Sequence, residues 1–136
     1  MKIFLLFLLT ILVPTATPHV LSKLDKCKDQ YILLGEIIEH VNGLKGKQYS
    51  QIYVDNVITS EHCAYENFCK AGIVLSKYKA EELGLEDKDW LLPRALVAYT
   101  RKTICDVKAV TEKVELHQLL HNIKQCAQTE YKNPCV

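Results

Sequence analysis

The sequence predicts an all-α protein, a four-helix bundle running up-up-down-down, with a short two-stranded ribbon where its crossing loops can pair. Three observations predict it. Four stretches carry apolar residues at three- and four-residue steps, two β-branched pieces lie between them, and six cysteines stand where such a bundle can bring them together.

The chain opens with Lys2 and the apolar run Ile3 to Val13, broken only by Thr10. That run is too short to span a bilayer and fits the core of an export signal, with Pro14 ending it and Thr15, Ala16 and Thr17 supplying small residues for cleavage. Residues 1–20 are therefore expected to be a signal peptide cut between Ala16 and Ser22, and residues 21–136 one domain. No second apolar stretch of membrane length follows, so the mature chain is expected outside the cell with no membrane insertion.

The first helix is expected from Ser22 to Lys45. Tyr31, Leu34, Ile37, Ile38, Val41 and Leu44 form its stripe, Ser22-x-x-Asp25 reads as its capping pattern, and Gly43 and Gly46 close it. Gly35 inside it either admits a neighbouring backbone or is merely tolerated. Gln51 to Thr59 is β-branched without a helical stripe and reads as extended. Thr59 or Ser60 is then expected to cap a second helix on Tyr65, Phe68, Gly72, Leu75 and Tyr78. A third helix lies within Glu86 to Thr103 on Trp90, Leu92, Leu96 and Tyr99, where Pro93 sits in the first turn or kinks it. A second extended piece, Asp106 to Val110, leads to Thr111 as cap of a fourth helix on Leu116, Leu119, Leu120, Ile123 and Ala127, which runs out near Tyr131.

Connection lengths select the topology. The joins from first to second helix and from third to fourth are long and hold the extended pieces, whereas the second reaches the third quickly. Long joins suit parallel neighbours linked by crossing loops.

An even cysteine count behind an export signal indicates disulfides, and no Cys-x-x-Cys occurs to suggest a redox motif or paired-knuckle zinc site. Six cysteines allow 15 pairings, and sequence alone does not choose. The expected bundle favours Cys27 with Cys135, Cys63 with Cys126, and Cys69 with Cys105.

Charge excludes some partners. Removing residues 1–20 takes Lys2 from the 17 basic side chains, leaving 16 against 16 acidic, with no clustered basic excess to call for nucleic acid. His117 and His121 stand four apart, but Gln118, Leu119 and Leu120 between them omit the acid of a zinc-protease helix. No Gly-x-Ser-x-Gly elbow and no glycine-rich acidic calcium loop occurs. The chain reads as a non-enzyme with no cofactor and no metal. A secreted saposin-like lipid-binding bundle is the alternative from another class, although its cysteines would cluster toward the chain ends with a close pair opening the domain.

Gly35 to Asn42 (GEIIEHVN), Glu66 to Leu75 (ENFCKAGIVL), the tail Tyr131 to Cys135 (YKNPC) and the spacing from Arg94 to Cys105 together resemble the interleukin-4 and interleukin-13 family of short-chain four-helix cytokines. The chain resembles the undivided interleukin-4/13 type of lower vertebrates more than either mammalian protein. The resemblance implies a monomeric type 2 cytokine that binds type I cytokine receptor chains and starts Janus kinase and STAT signalling in immune cells. An interleukin-4 receptor alpha-like chain would be bound by the first and third helices. A common-gamma-like or interleukin-13 receptor alpha-like chain would then join on the first and fourth. It implies Glu36 and Arg94 as anchors of the first face and Tyr131 as a contact of the second. The family pattern is similar in the Cys27 with Cys135 and Cys69 with Cys105 bridges. It differs in its third bridge, whose cysteines lie in loops whereas Cys63 and Cys126 are expected in helices here, and in an arginine that is Gln128 here.

Overall fold

The first amphipathic stretch forms α1, Pro18–Leu44, in the computed structural model, which describes the backbone of residues 18–108 and 112–132 and the side chains from Lys28 onward. The expected signal run, the Cys27 with Cys135 bridge and the Thr111 cap lie outside the described residues. Ser22 falls inside α1, so its spacing to Asp25 does not mark the helix start. Leu34, Ile37, Val41 and Leu44 are buried, while Ile38 packs at the edge of the core and Tyr31 is exposed. The buried line is thus centred on Ile37.

Strand β1, Tyr53–Asp55, pairs antiparallel with β2, Lys113–Glu115, in the register Tyr53 with Glu115, Val54 with Val114 and Asp55 with Lys113. Val54 turns into the core, and Lys113 pairs with Asp55 across the outer face. The ribbon expected between the connections therefore forms. Its second strand starts at Lys113 rather than in Asp106 to Val110, and the last helix starts directly after it. The Leu116 amide donates to the Ile52 carbonyl at 2.9 Å, continuing the pairing into that helix.

The second helix, α2, spans Tyr65–Ser76 and begins later than Thr59 or Ser60. Thr59 instead bridges to His62 around a tight turn, and the true start is set by Asn67, whose Oδ1 accepts from the Ala64 amide at 3.1 Å. Cys63 consequently sits in the loop ahead of α2 rather than within a helix. Helix α3, Leu92–Tyr99, has Pro93 in its first turn, where a missing N–H costs nothing. Residues 77–91 between α2 and α3 are a longer join than expected and hold two 3₁₀ turns, Glu81–Leu83 and Asp87–Asp89. The first ends at Gly84, whose φ of 75° suits glycine. Helix α4 spans Leu116–Lys132.

Helix α1 packs on α3 and α4, and α2 packs on α3. The α2 to α3 approach is close because Gly72 has no side chain: an added Cβ would stand 3.3 Å from Leu96 Cβ and 3.4 Å from Val97 Cγ2. One core fills the centre, with Phe68, Leu75, Leu96, Leu119 and Ile123 fully enclosed. Asn122 is buried among them, a polar residue inside an apolar stripe. Its Nδ2 donates to the Ile58 carbonyl and its Oδ1 accepts from Gln118, both at 3.0 Å, which fastens the segment before α2 onto α4.

Two bridges close the described part. Cys63 joins Cys126 and Cys69 joins Cys105, with Cα separations of 5.2 and 6.2 Å. Both are the expected pairs. Replacing Cys63 and Cys126 together with serine is expected to lower stability by about 2 to 4 kcal/mol, because the reduced chain regains the entropy of a 63-residue loop. Urea unfolding of the double variant measures the loss.

Tyr99 sits at the meeting of α2 and α3, edge-on to Tyr65 and Phe68 with ring centroids 5.2 and 5.3 Å apart. Burial pushes its phenol up to about 12, with the charges of Glu130 and Tyr65 adding to the effect. The folded chain thus holds this proton more tightly than the unfolded chain, whose tyrosines ionise near 10. Stability from Tyr99 is complete below that value and is lost as pH rises toward 12. The urea midpoint should fall over that alkaline window, and Tyr99→Phe should flatten the fall.

Candidate functional site

Glu36 lies on the exposed side of α1, and Arg94 is exposed in the first turn of α3, directly after Pro93. Among the described residues neither forms an ion pair. Both charges face solvent. Glu36 follows Leu33 by three residues and Asp29 by seven, which sets all three on one face of α1. Asp29 and Leu33 border a small cleft whose other wall is Ala98 and Arg101, at the end of α3. Asp29, Leu33 and Glu36 therefore lie along the side of α1 that meets α3.

Tyr131 belongs to a different seam. It lies in the last turn of α4 and stacks on Tyr31 of α1, with ring centroids 4.1 Å apart and planes 22° from parallel. An added Cβ on Gly35 would stand 3.6 Å from Tyr131 Cε2. That is ordinary contact, so the glycine meets a tyrosine ring rather than a neighbouring backbone. Tyr31 beside it holds the Tyr131 phenol above the usual tyrosine range, and partial burial and the charge of Glu39 act the same way. Tyr31, Gly35 and Glu39 recur every four residues, so this seam runs along a separate face of α1 from Glu36. The two tyrosines are partly open to solvent, and beside them Ile32 is 49% exposed. An amphipathic aromatic pair with an uncovered apolar neighbour suits a protein contact.

The sequence singled out Tyr131 but not its partner. The apolar periodicity places Tyr31 in the buried stripe, whereas its i, i+4 spacing to Gly35 is the signal for a ring lying over the helix.

The clefts are open and shallow. One of about 570 Å³ lies between the start of α2 and the segment around Cys105, with His62, Glu66, Lys70, Asp106 and Lys108 on its walls. Its acids and bases are dispersed, with no nucleophile held by a base. His117 faces Glu115, its Nδ1 2.9 Å from Oε2, and His121 is exposed on the next turn. Among the described residues no group of three or more His, Cys, Asp or Glu could hold a metal ion, and no helix is long and apolar enough to cross a membrane. The arrangement offers charged and aromatic surface along helix faces.

Compared with protein-family models, with curated proteins and with solved structures, the chain finds no match.

Proposed function

We propose that this chain is a secreted, monomeric four-helix cytokine of the interleukin-4/13 type, whose helices run up-up-down-down and pair two type I receptor chains. The observation that carries this reading is the set of contacts between helix ends. Lys47, just past α1, pairs with Asp89, just before α3, at 3.1 Å, while Asp29 and Leu33 share a cleft with Ala98 and Arg101 at the opposite ends. Antiparallel α1 and α3 account for both. Tyr131 on Tyr31 at one end, and His121 beside Val41 and Lys45 at the other, support antiparallel α1 and α4. Tyr65 Oη donating to the Tyr99 carbonyl, and Trp90 Nε1 donating to the Tyr78 carbonyl, support antiparallel α2 and α3. With α3 and α4 both opposed to α1, and α2 opposed to α3, the first two helices run one way and the last two the other.

The resemblance of GEIIEHVN, ENFCKAGIVL and YKNPC to the family supplies the function that this architecture would serve. Disulfides and the apolar leader support an extracellular site of action. In this reading Glu36 and Arg94 anchor an interleukin-4 receptor alpha-like chain across α1 and α3. Tyr131, with Tyr31 beside it, contacts a common-gamma-like or interleukin-13 receptor alpha-like chain across α1 and α4. The protein itself performs no chemistry. It acts by holding two receptors at a fixed distance.

The test is cellular. Purified protein added to cells expressing both receptor chains should raise STAT phosphorylation, and cells lacking either chain should stay silent. A lipid-binding bundle would instead release dye from anionic vesicles and leave all the cells unresponsive.

A further inference from the structure

One wall of the cleft beside α2 is the segment from Ile104 to Lys108, which belongs to no helix or strand. Along it exposure alternates: Ile104, Asp106 and Lys108 are exposed, whereas Cys105 and Val107 are half-buried. A two-residue period belongs to extended chain, in which successive side chains leave on opposite faces. Val107 packs against the core and Cys105 is tied to Cys69 of α2, so the segment is held in place from one face. Its main chain is nevertheless unpaired: among the described residues the amides and carbonyls of Ile104 to Lys108 form no backbone hydrogen bond.

The cleft, of about 570 Å³, runs along the edge of this segment rather than over one face, because all five consecutive residues border it. Asn56, Val57 and Thr59, in the chain that follows β1, form another wall. Asn56 Oδ1 is buried and accepts no hydrogen bond among the described residues. A buried acceptor left without a donor is unfavourable, so this wall lacks an N–H. The charges do not select an ion, since Glu66 pairs with Lys70 at 3.7 Å and the exposed Asp106 and Lys108 are of opposite sign. What the cleft lacks is main chain.

We propose that a partner protein inserts an extended segment here, pairing with Ile104 to Lys108 as an added β-strand. A strand carries N–H and C=O groups along both edges, so one edge meets the unpaired main chain while the other turns N–H groups toward Asn56. Neither a small anion nor an apolar lipid chain supplies that alternation of donors and acceptors. Side chains then select the partner. On the exposed face Ile104, Asp106 and Lys108 call for an apolar residue, a base and an acid in that order, because directly opposed residues of two strands pair across the ladder. A second copy paired antiparallel about the centre of the same segment would set Asp106 against Asp106, which favours a different sequence. Glu36, Arg94 and Tyr131 are not among the residues that border the cleft, so this surface is separate from both proposed receptor faces.

The probe is the acetylated, amidated peptide Glu-Thr-Lys-Thr-Val, written for antiparallel pairing, with its reversed sequence for parallel pairing. Titrated into the isotope-labelled full chain, one of the two should shift the amide resonances of residues 104–108, with a Kd of about 1 mM for a few main-chain hydrogen bonds. The fully N-methylated peptide should leave them unmoved, since its side chains remain and its donors do not. Exchanging the charges, Asp106→Lys with Lys108→Asp, keeps the net charge and should weaken the peptide about tenfold. The peptide with its own Lys and Glu exchanged should then bind that variant as the original binds wild type. The amide spectrum shows whether the variant is folded, and the N-methylated peptide on the wild type carries the test if it is not. No shift with either peptide, equal binding of the N-methylated one, or indifference to the charge exchange would overturn the proposal. So would sedimentation showing that the chain alone dimerises and that Ile104→Lys makes it monomeric, which would give this edge to a second copy. No receptor enters the assay, so its failure leaves the receptor reading standing, and silence in the cellular assay leaves this one standing.

Discussion

Phe68→Ala is expected to cost about 3 to 5 kcal/mol of stability, the largest single effect of any core truncation here. Phe68 is fully enclosed and meets Tyr99 edge-on, its ring plane 79° from that of Tyr99. Removing the ring leaves a cavity between α2 and α3, where the Cys69 to Cys105 bridge and the close approach at Gly72 restrict collapse. The partly exposed Ile38 should cost less when truncated than the enclosed Ile37, and the exposed Glu39→Ala should stay within about 0.5 kcal/mol. Denaturant unfolding orders these variants. A Phe68→Ala loss no greater than that of Glu39→Ala would mean that the α2 and α3 interface is not the packed centre described.

Glu36→Lys and Arg94→Glu are each expected to weaken capture of the first receptor chain by about 2 to 5 kcal/mol, mostly through faster dissociation. Both side chains are exposed and lack an internal ion pair among the described residues, so reversing either should leave folding intact and act at the interface. Tyr131→Asp should behave differently. It removes the ring stacked on Tyr31 and sets a carboxylate near Glu39, on a seam away from Glu36. First-chain capture should survive while recruitment of the second chain and signalling are lost, which would turn the ligand into a competitor. Surface plasmon resonance against the isolated first chain, with STAT phosphorylation in cells, separates the two outcomes.

Much of this architecture was legible in the residues, and the misreadings have physical causes. The four apolar stripes were visible because amphipathic helices repeat every three or four residues, and a core must collect one face of each. The pairing of Cys63 with Cys126 followed from which helix ends a bundle brings together, and it held although Cys63 proved to lie in a loop. Boundaries were harder. Thr59 and Ser60 have the right chemistry for a helix cap but are used in a turn, and the cap came instead from Asn67, a residue inside the helix. Lys113 to Glu115 continued the predicted helical pattern of α4, yet pairing with Tyr53 to Asp55 drew them into a strand. Asn122 went unnoticed because a buried amide is betrayed only by its partner, the Ile58 carbonyl, 64 residues away. Glu36, Arg94 and Tyr131 came from resemblance alone. The fold adds that the first two are exposed and form no ion pair among the described residues, and that the third is held against Tyr31.

The central claim is that one small bundle joins two receptors through two faces of α1. Its most direct test is sequential capture on a sensor surface. With the wild-type chain immobilised through a site remote from α1, the ectodomain of the interleukin-4 receptor alpha-like chain should bind alone, and the second ectodomain should bind appreciably only after the first is in place. Binding of neither ectodomain by the folded protein would contradict the account, as would a Glu36→Lys variant that captures the first chain within about twofold of wild type.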